Sequence, residues 1–333
     1  MRRAVVPWLV AGLLAIAVGT GVVLLLNATT FGPASFVRVY LEAVARGDAT
    51  GALGMPGVTA DADLRVDLLT DSAQLGLTDL REVSVEAAPD AEAGAEADGI
   101  LNVTFSWVSP EGAGQSTFAV QQIGTRFGLF PAWGFAESPV AELSLTVEHD
   151  ERFEVNGVVA TTDVAAPAPV GYAVLVPGVY RVDHHSTYLR ADEVTVLADR
   201  PSSRLPVTLD VQPAAAFIDR VSAQVRDLLG GCATQDVLFP TACPLGQVVN
   251  DRIVSEPEWS IVEYPEITLE PGAEFGTWAV PDAPFTAHLL VDIQDLYDGS
   301  VSTFDEDLPF IARYLVTIGR DDETLQVVPL LDG

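Results

Sequence analysis

The chain has 333 residues, with 17 Lys plus Arg against 47 Asp plus Glu, a net charge of −30. All 17 basic residues are Arg. A polyanion repels phosphates, so nucleic acid is excluded as a partner. Two Cys rule out a disulfide-dense scaffold and a four-thiolate zinc site, and 49% hydrophobic residues rule out a chain disordered throughout.

Residues 4–26, from Ala4 past Trp8 to Leu26, contain no charge. At roughly 1.5 Å per residue, about 20 such residues cross a hydrocarbon core as a helix. Arg2 and Arg3 precede the run, and the next basic residue is Arg38. Positive charge stays inside, so the pattern predicts a signal-anchor with a cytoplasmic tip over 1–30 and the remainder outside. Trp8 suits an interfacial ring, and Pro7 sits in the first turn, where a missing N–H is tolerated. The rival is a cleaved signal peptide, whose apolar core is shorter, about 7–15 residues, and precedes an A-x-A-like site. Here the run is longer and ends LLLNATTFGPA without such a site. No Cys stands near its end, which excludes a lipoprotein anchor.

The rest divides into three blocks. In 31–139, PASFVRVYLEAVARGD predicts an opening helix with Phe36, Val37, Val39, Tyr40, Ala43 and Val44 at helical spacing and Gly47 at its end. REVSVEAAP, ILNVTFSWV, STFAVQQIG and RFGLFPAWGF follow as strands, with Val103, Phe105 and Trp107 alternating against polar residues. The acidic stretch 90–98 reads as a solvated loop. In 140–210 strand follows strand, broken by the turn pairs Asn156-Gly157 and Pro177-Gly178, which predicts a small β-sandwich. The block 211–333 opens with a second helix bearing Phe217, Val221, Val225 and Leu228 on one face and closed by Gly230-Gly231. Antiparallel strands follow. Helices that precede antiparallel strands make the fold class α+β. The helix starts Pro33-Ala34-Ser35-Phe36-Val37 and Ala214-Ala215-Ala216-Phe217-Ile218 run parallel, and both blocks end on paired strands leading to Pro, which suggests a duplicated module flanking a β-module.

The run P-x-x-F-V-R-x-Y-L-E-A-V-A-R-G-D, with Phe36, Val37, Tyr40, Leu41, Ala43, Gly47 and Asp48, followed by F-P-A-W-G-F with Trp133, resembles the NTF2-like (cystatin-like) cone of many single-pass actinobacterial envelope proteins. It covers about 110 residues. The middle block resembles small β-sandwiches of the PEGA or carboxypeptidase-regulatory kind through Pro177-Gly178-Val179-Tyr180. The resemblance implies a curved sheet wrapped on a helix, often around a pocket, and no particular activity.

Cys232 and Cys243 stand 11 apart in an extracytoplasmic context, which predicts a disulfide; the spacing is not the C-x-x-C of a redox pair. No metal site is expected. His184-His185 lies on a predicted strand, where neighbours face opposite sides, so the two rings do not converge; a metal site there would need Asp183 and His149. Asp298-Gly299-Ser300 and Asp305-Glu306-Asp307 lack the alternation of an EF-hand. No G-x-S-x-G, phosphate loop or dinucleotide fingerprint occurs, so no cofactor and no catalytic constellation is expected. The triplets Asn27-Ala28-Thr29 and Asn102-Val103-Thr104 match a glycosylation site, which would mean nothing if the source is bacterial, and the second lies in a predicted strand rather than a loop.

The aromatic set of the first block forms a core or lines an apolar pocket, for which Phe36, Tyr40, Phe105, Trp107, Phe118 and Trp133 are the candidates. Trp259, Tyr264, Phe275, Trp278 and Phe285 form a similar set in the third block. The expected role is a non-enzymatic binding or scaffolding protein of the cell envelope, held by the lipid bilayer and serving a protein partner. The alternative is a hydrophobic-ligand binder using the cone; an unrecognised enzyme ranks third.

Overall fold

The computed structural model describes residues 2–71, 77–88, 99–164, 167–319 and 321–330. The acidic stretch expected to be a loop, 90–98, lies outside the described residues. The architecture is α+β, with four sheets and four helices among the described residues.

Helix α1, Arg2–Thr29, covers the charge-free run. The side chains of Ala4 and Trp8 lie outside the described residues, and description of side chains begins at Leu13. Among the described residues no helix is long and apolar enough to cross a membrane. Leu13, Leu14, Ile16, Val18, Val22, Leu24 and Leu25 are all exposed, with Leu13 at 68%, and Leu26 is half-buried.

Helix α2, Pro33–Ala45, starts on Pro, whose fixed φ and missing N–H suit the first turn. Its end is a Schellman motif: Gly47 N–H donates to Val44 O (3.0 Å) and Asp48 N–H to Ala43 O (2.9 Å), with Gly47 at φ +73°. Gly47 is therefore the residue after the cap, and Arg46 is the cap itself. Val37, Tyr40, Leu41, Ala43 and Val44 are buried. Val39, expected on the core face, is exposed, because it falls on the opposite side from the 37, 40, 41, 44 stripe. A short helix α3, Ala49–Leu53, follows, capped by the Asp48 carboxylate, which accepts from Gly51 N–H. The stripe lies on an antiparallel meander of β1 (Thr78–Ala87), β2 (Ile100–Ser109), β3 (Gly112–Arg126) and β4 (Phe130–Phe135). Val103, Phe105 and Trp107 all point into the core, as their alternation predicts.

The middle block has two sheets. One runs β11 (Arg204–Asp210), β5 (Val140–Glu148), β8 (Val170–Leu175). The other runs β12 (Gln212–Pro213), β10 (Leu189–Ala198), β9 (Gly178–His185), β6 (Arg152–Val155), β7 (Val158–Thr161). Asn156 and Gly157 form the β6–β7 turn at φ +50° and +81°, the two positive values a type I′ turn needs. The β5–β11 pair is parallel, with Glu148 opposite Asp210, a pairing no local pattern announces.

Helix α4, Ala215–Ala233, opens the third block. Gly230-Gly231 do not end it; it continues to Ala233 with Thr234 as cap. Its buried ridge is Phe217, Val221, Val225 and Leu229, a strict i+4 row, and Leu228 turns outward. The sheet is built on two 18-residue strands, β16 (Thr277–Gln294) and β17 (Val301–Ile318), joined at their edges by β13 (Arg252–Ile253), β14 (Glu258–Glu263), β15 (Glu270–Pro271) and β18 (Leu325–Pro329). Trp259, Trp278 and Phe285 are buried there, and Tyr264 is exposed beneath Arg226, 5.6 Å from its ring centre. Cys232 and Cys243 form the disulfide, with Cα atoms 5.8 Å apart.

One continuous core runs through all three blocks. Polar ties cross their borders. Tyr40 Oη donates to Val176 O (2.8 Å) and Pro139 O (3.1 Å). Trp107 Nε1 donates to Ser116 Oγ, which donates to Asp199 O. Tyr188 Oη donates to Glu323 O (2.9 Å).

Candidate functional site

A recess of about 280 Å³ lies where α1 passes into α2. Its apolar wall is Phe31, Phe36, Val39, Met55 and Trp133, and Arg126 stands at its edge. The sequence dictates the geometry locally. Gly32 and Pro33 break the helical path between α1 and α2, and Trp133 Nε1 donates to Phe31 O (2.9 Å), fixing that elbow against β4. The Phe31 and Phe130 rings stack with centres 4.2 Å apart, and Phe36 packs on Phe135 at 5.0 Å.

The six pocket candidates separate into two groups. Phe36 and Trp133 line the recess. Tyr40, Phe105, Trp107 and Phe118 are fully buried in the core, with the Tyr40 and Phe118 ring centres 5.9 Å apart. Side chains therefore occupy the interior between α2 and the sheet, and the open space lies at its mouth. Phe31, Met55 and Arg126 were not foreseen as lining residues. Their signal in the sequence is faint, because they come from three separate turns that only the folded chain brings together.

A second recess, about 410 Å³, is bordered by Asp150, Arg152, Phe275 and Ile318. Its Asp150 and Arg152 charges are already paired. Arg152 Nη2 meets Asp150 Oδ2 at 2.9 Å, and its Nη1 meets Asp322 Oδ2 at 2.8 Å. Burial pushes the Asp150 carboxyl upward, but the hydrogen bonds and charge of Arg152 prevail and hold it below the ordinary carboxylate value. Such a closed pair ties the middle block to the turn at Asp322 and leaves the guanidinium little capacity for a ligand.

The four imidazoles face carbonyls and carboxylates. His184 is buried with Nδ1 3.0 Å from Arg152 O, while His185 is exposed beside Asp183, as alternation along a strand requires. His288 lies 2.8 Å from Asp307 and 3.3 Å from Asp305, across the β16–β17 pair. His149 does not join Asp183 and His184. Among the described residues the group that converges is Glu148, His149 and Asp210, with ligand atoms within 4.8 Å of one another. The parallel β5–β11 register produces it. His149 Nδ1 already lies 3.1 Å from the Asp210 carboxylate and 3.2 Å from Val211 O, so that nitrogen is engaged by the chain itself at a partly exposed strand end. Asp295 and Asp298 serve as turn caps: backbone N–H groups of Asp298 and Tyr297 hold the Asp295 carboxyl below its ordinary value.

No protein-family model, curated protein or solved structure matches this chain.

Proposed function

We propose that the chain is a single-pass extracytoplasmic envelope protein, held by α1 in the bilayer, whose folded body is a non-enzymatic binding or scaffolding module. The observation that carries this reading is the state of α1. Its described side chains are apolar apart from Thr20, Asn27 and Thr29, and none of them joins the core that runs through the rest of the protein. A helix whose long apolar side chains stand exposed needs an apolar medium, and the core does not take in the described ones. The described part of α1 joins directly to the uncharged stretch 4–12, and the run then reaches the length a hydrocarbon core needs. Arg2 and Arg3 before it favour a cytoplasmic N-terminus. The disulfide suits an oxidising compartment.

The meander against α2 is the arrangement expected of an NTF2-like cone, and its filled interior favours scaffolding over enclosure of a ligand. With 15 of the 17 Arg and all 47 acids beyond residue 30, the body repels anionic envelope polymers and selects a neutral or basic partner face. Affinity capture of the tagged full chain from detergent-solubilised membranes should return the same protein partner across preparations. Return of none under several detergents contradicts the scaffold role. A second reading, a small apolar ligand in the recess beside Trp133, is favoured by that recess alone; native mass spectrometry with a co-purifying mass would support it.

A further inference from the structure

We propose that the β3–β4 turn is a second membrane contact, in which Phe127 and Leu129 enter the headgroup–acyl boundary and Arg126 meets lipid phosphates. The proposal rests on the reading of α1 as a bilayer anchor. The turn Arg126-Phe127-Gly128-Leu129 closes with Leu129 N–H on Arg126 O (3.2 Å). Phe127 and Gly128 have φ of +54° and +67°, the two positive values of a type I′ turn. Such turns favour Asn-Gly, and a bulky aromatic residue in the left-handed region is an outlier that folding alone disfavours. The same Phe127 is 88% exposed and Leu129 63%. A strained backbone therefore holds two large apolar side chains out in water.

Position identifies what covers them. Phe130, the next residue after Leu129, stacks on Phe31, which follows α1 by two residues. Trp133 on the same strand holds the Phe31 carbonyl. The turn thus lies within about 10 Å of the point where α1 leaves the bilayer, three residues from that stack at about 3.3 Å each. Among the described residues the Arg126 guanidinium pairs with no carboxylate, whereas Arg65, Arg152 and Arg181 each do. An Arg with no carboxylate partner among the described residues, next to Phe127 and Leu129 and sharing a recess with Trp133, is the composition of an interfacial lipid contact.

The test uses the full chain, whose two Cys are joined, so an added Cys is its one free thiol. Phe127→Cys, and separately Leu129→Cys, carry an environment-sensitive fluorophore. Gln115→Cys, about 40 Å away along β3 at full extension, carries the same label as control. Each is reconstituted in phosphatidylcholine vesicles with roughly a quarter phosphatidylglycerol, with or without nitroxide lipid labelled near the headgroup. Expected is quenching about fivefold stronger at 127 and 129 than at 115, since an interfacial insertion reaches about 5–10 Å into the leaflet. Equal, weak quenching at all three sites in chains that float with the vesicles overturns the proposal and leaves α1 as anchor. Chains that do not float at all overturn the anchor reading, and this proposal with it.

Discussion

Tyr40 shows how one side chain couples two blocks. Its hydroxyl is the donor that Val176 O receives, while Pro139 O also accepts from Val176 N–H. Burial holds the phenol well above its ordinary pKa, so it remains a donor at all physiological pH. Tyr40→Phe leaves Val176 O without that bond at a fully buried position. Urea denaturation should show a loss of about 1–2 kcal/mol, and a change of only a few tenths would mean water reaches that carbonyl. His184 carries a second residue-scale expectation. Burial pushes its pKa below the ordinary imidazole value; Asp150, the hydrogen bond to the Arg152 carbonyl and Asp322 oppose this, and the Arg152 charge adds to it. The unfolded chain then takes up the proton first, at about pH 6.5. Stability is full well above that pH and declines as pH falls through it, whereas the low-lying Asp150 carboxyl contributes its decline only below about pH 4. His184→Gln, which keeps a donor for Arg152 O, should flatten the upper part of this decline in denaturation midpoints. An unchanged pH profile would show that the decline has another source.

At the scale of elements, the disulfide closes an 11-residue separation at the end of α4. The loop it encloses is also held by Thr241 N–H on Gln235 Oε1 (2.8 Å) and by Trp259 Nε1 on Val237 O (2.9 Å). Replacing both Cys by Ser should therefore cost about 2–3 kcal/mol, near the chain-entropy value for so short a loop, and leave near-ultraviolet dichroism in place. Loss of that signal would mean the bridge holds the third block together by itself. Elements with a strong local period were the legible part of the sequence. β2 shows its alternation in Val103, Phe105 and Trp107, and α2 its stripe and Gly47 stop. The end of α4 was misread because Gly230-Gly231 is a weak stop: buried Leu229 and Cys232 on either side carry the helix onward. The parallel β5–β11 pair was not legible, since register between distant strands is set by the core they share.

At the scale of the whole molecule, composition indicates an acidic body and an apolar N-terminal run, and among the described residues of that run none belongs to the buried core. Of the candidate site, the aromatic residues were legible but their division was not. Whether Tyr40 and Phe118 fill the interior or line a pocket depends on summed side-chain volume across α2 and four strands, which no window of sequence contains. The central claim is that α1 is solvated by lipid while the body stands outside. Its most direct measurement is alkaline extraction of membranes from cells making the full chain, with protease added to intact cells and free thiols counted. The full chain should stay in the membrane pellet, lose its body to the protease, and show no free thiol. Recovery of the intact chain in the soluble fraction, protected from protease and with two reactive thiols, would contradict the account.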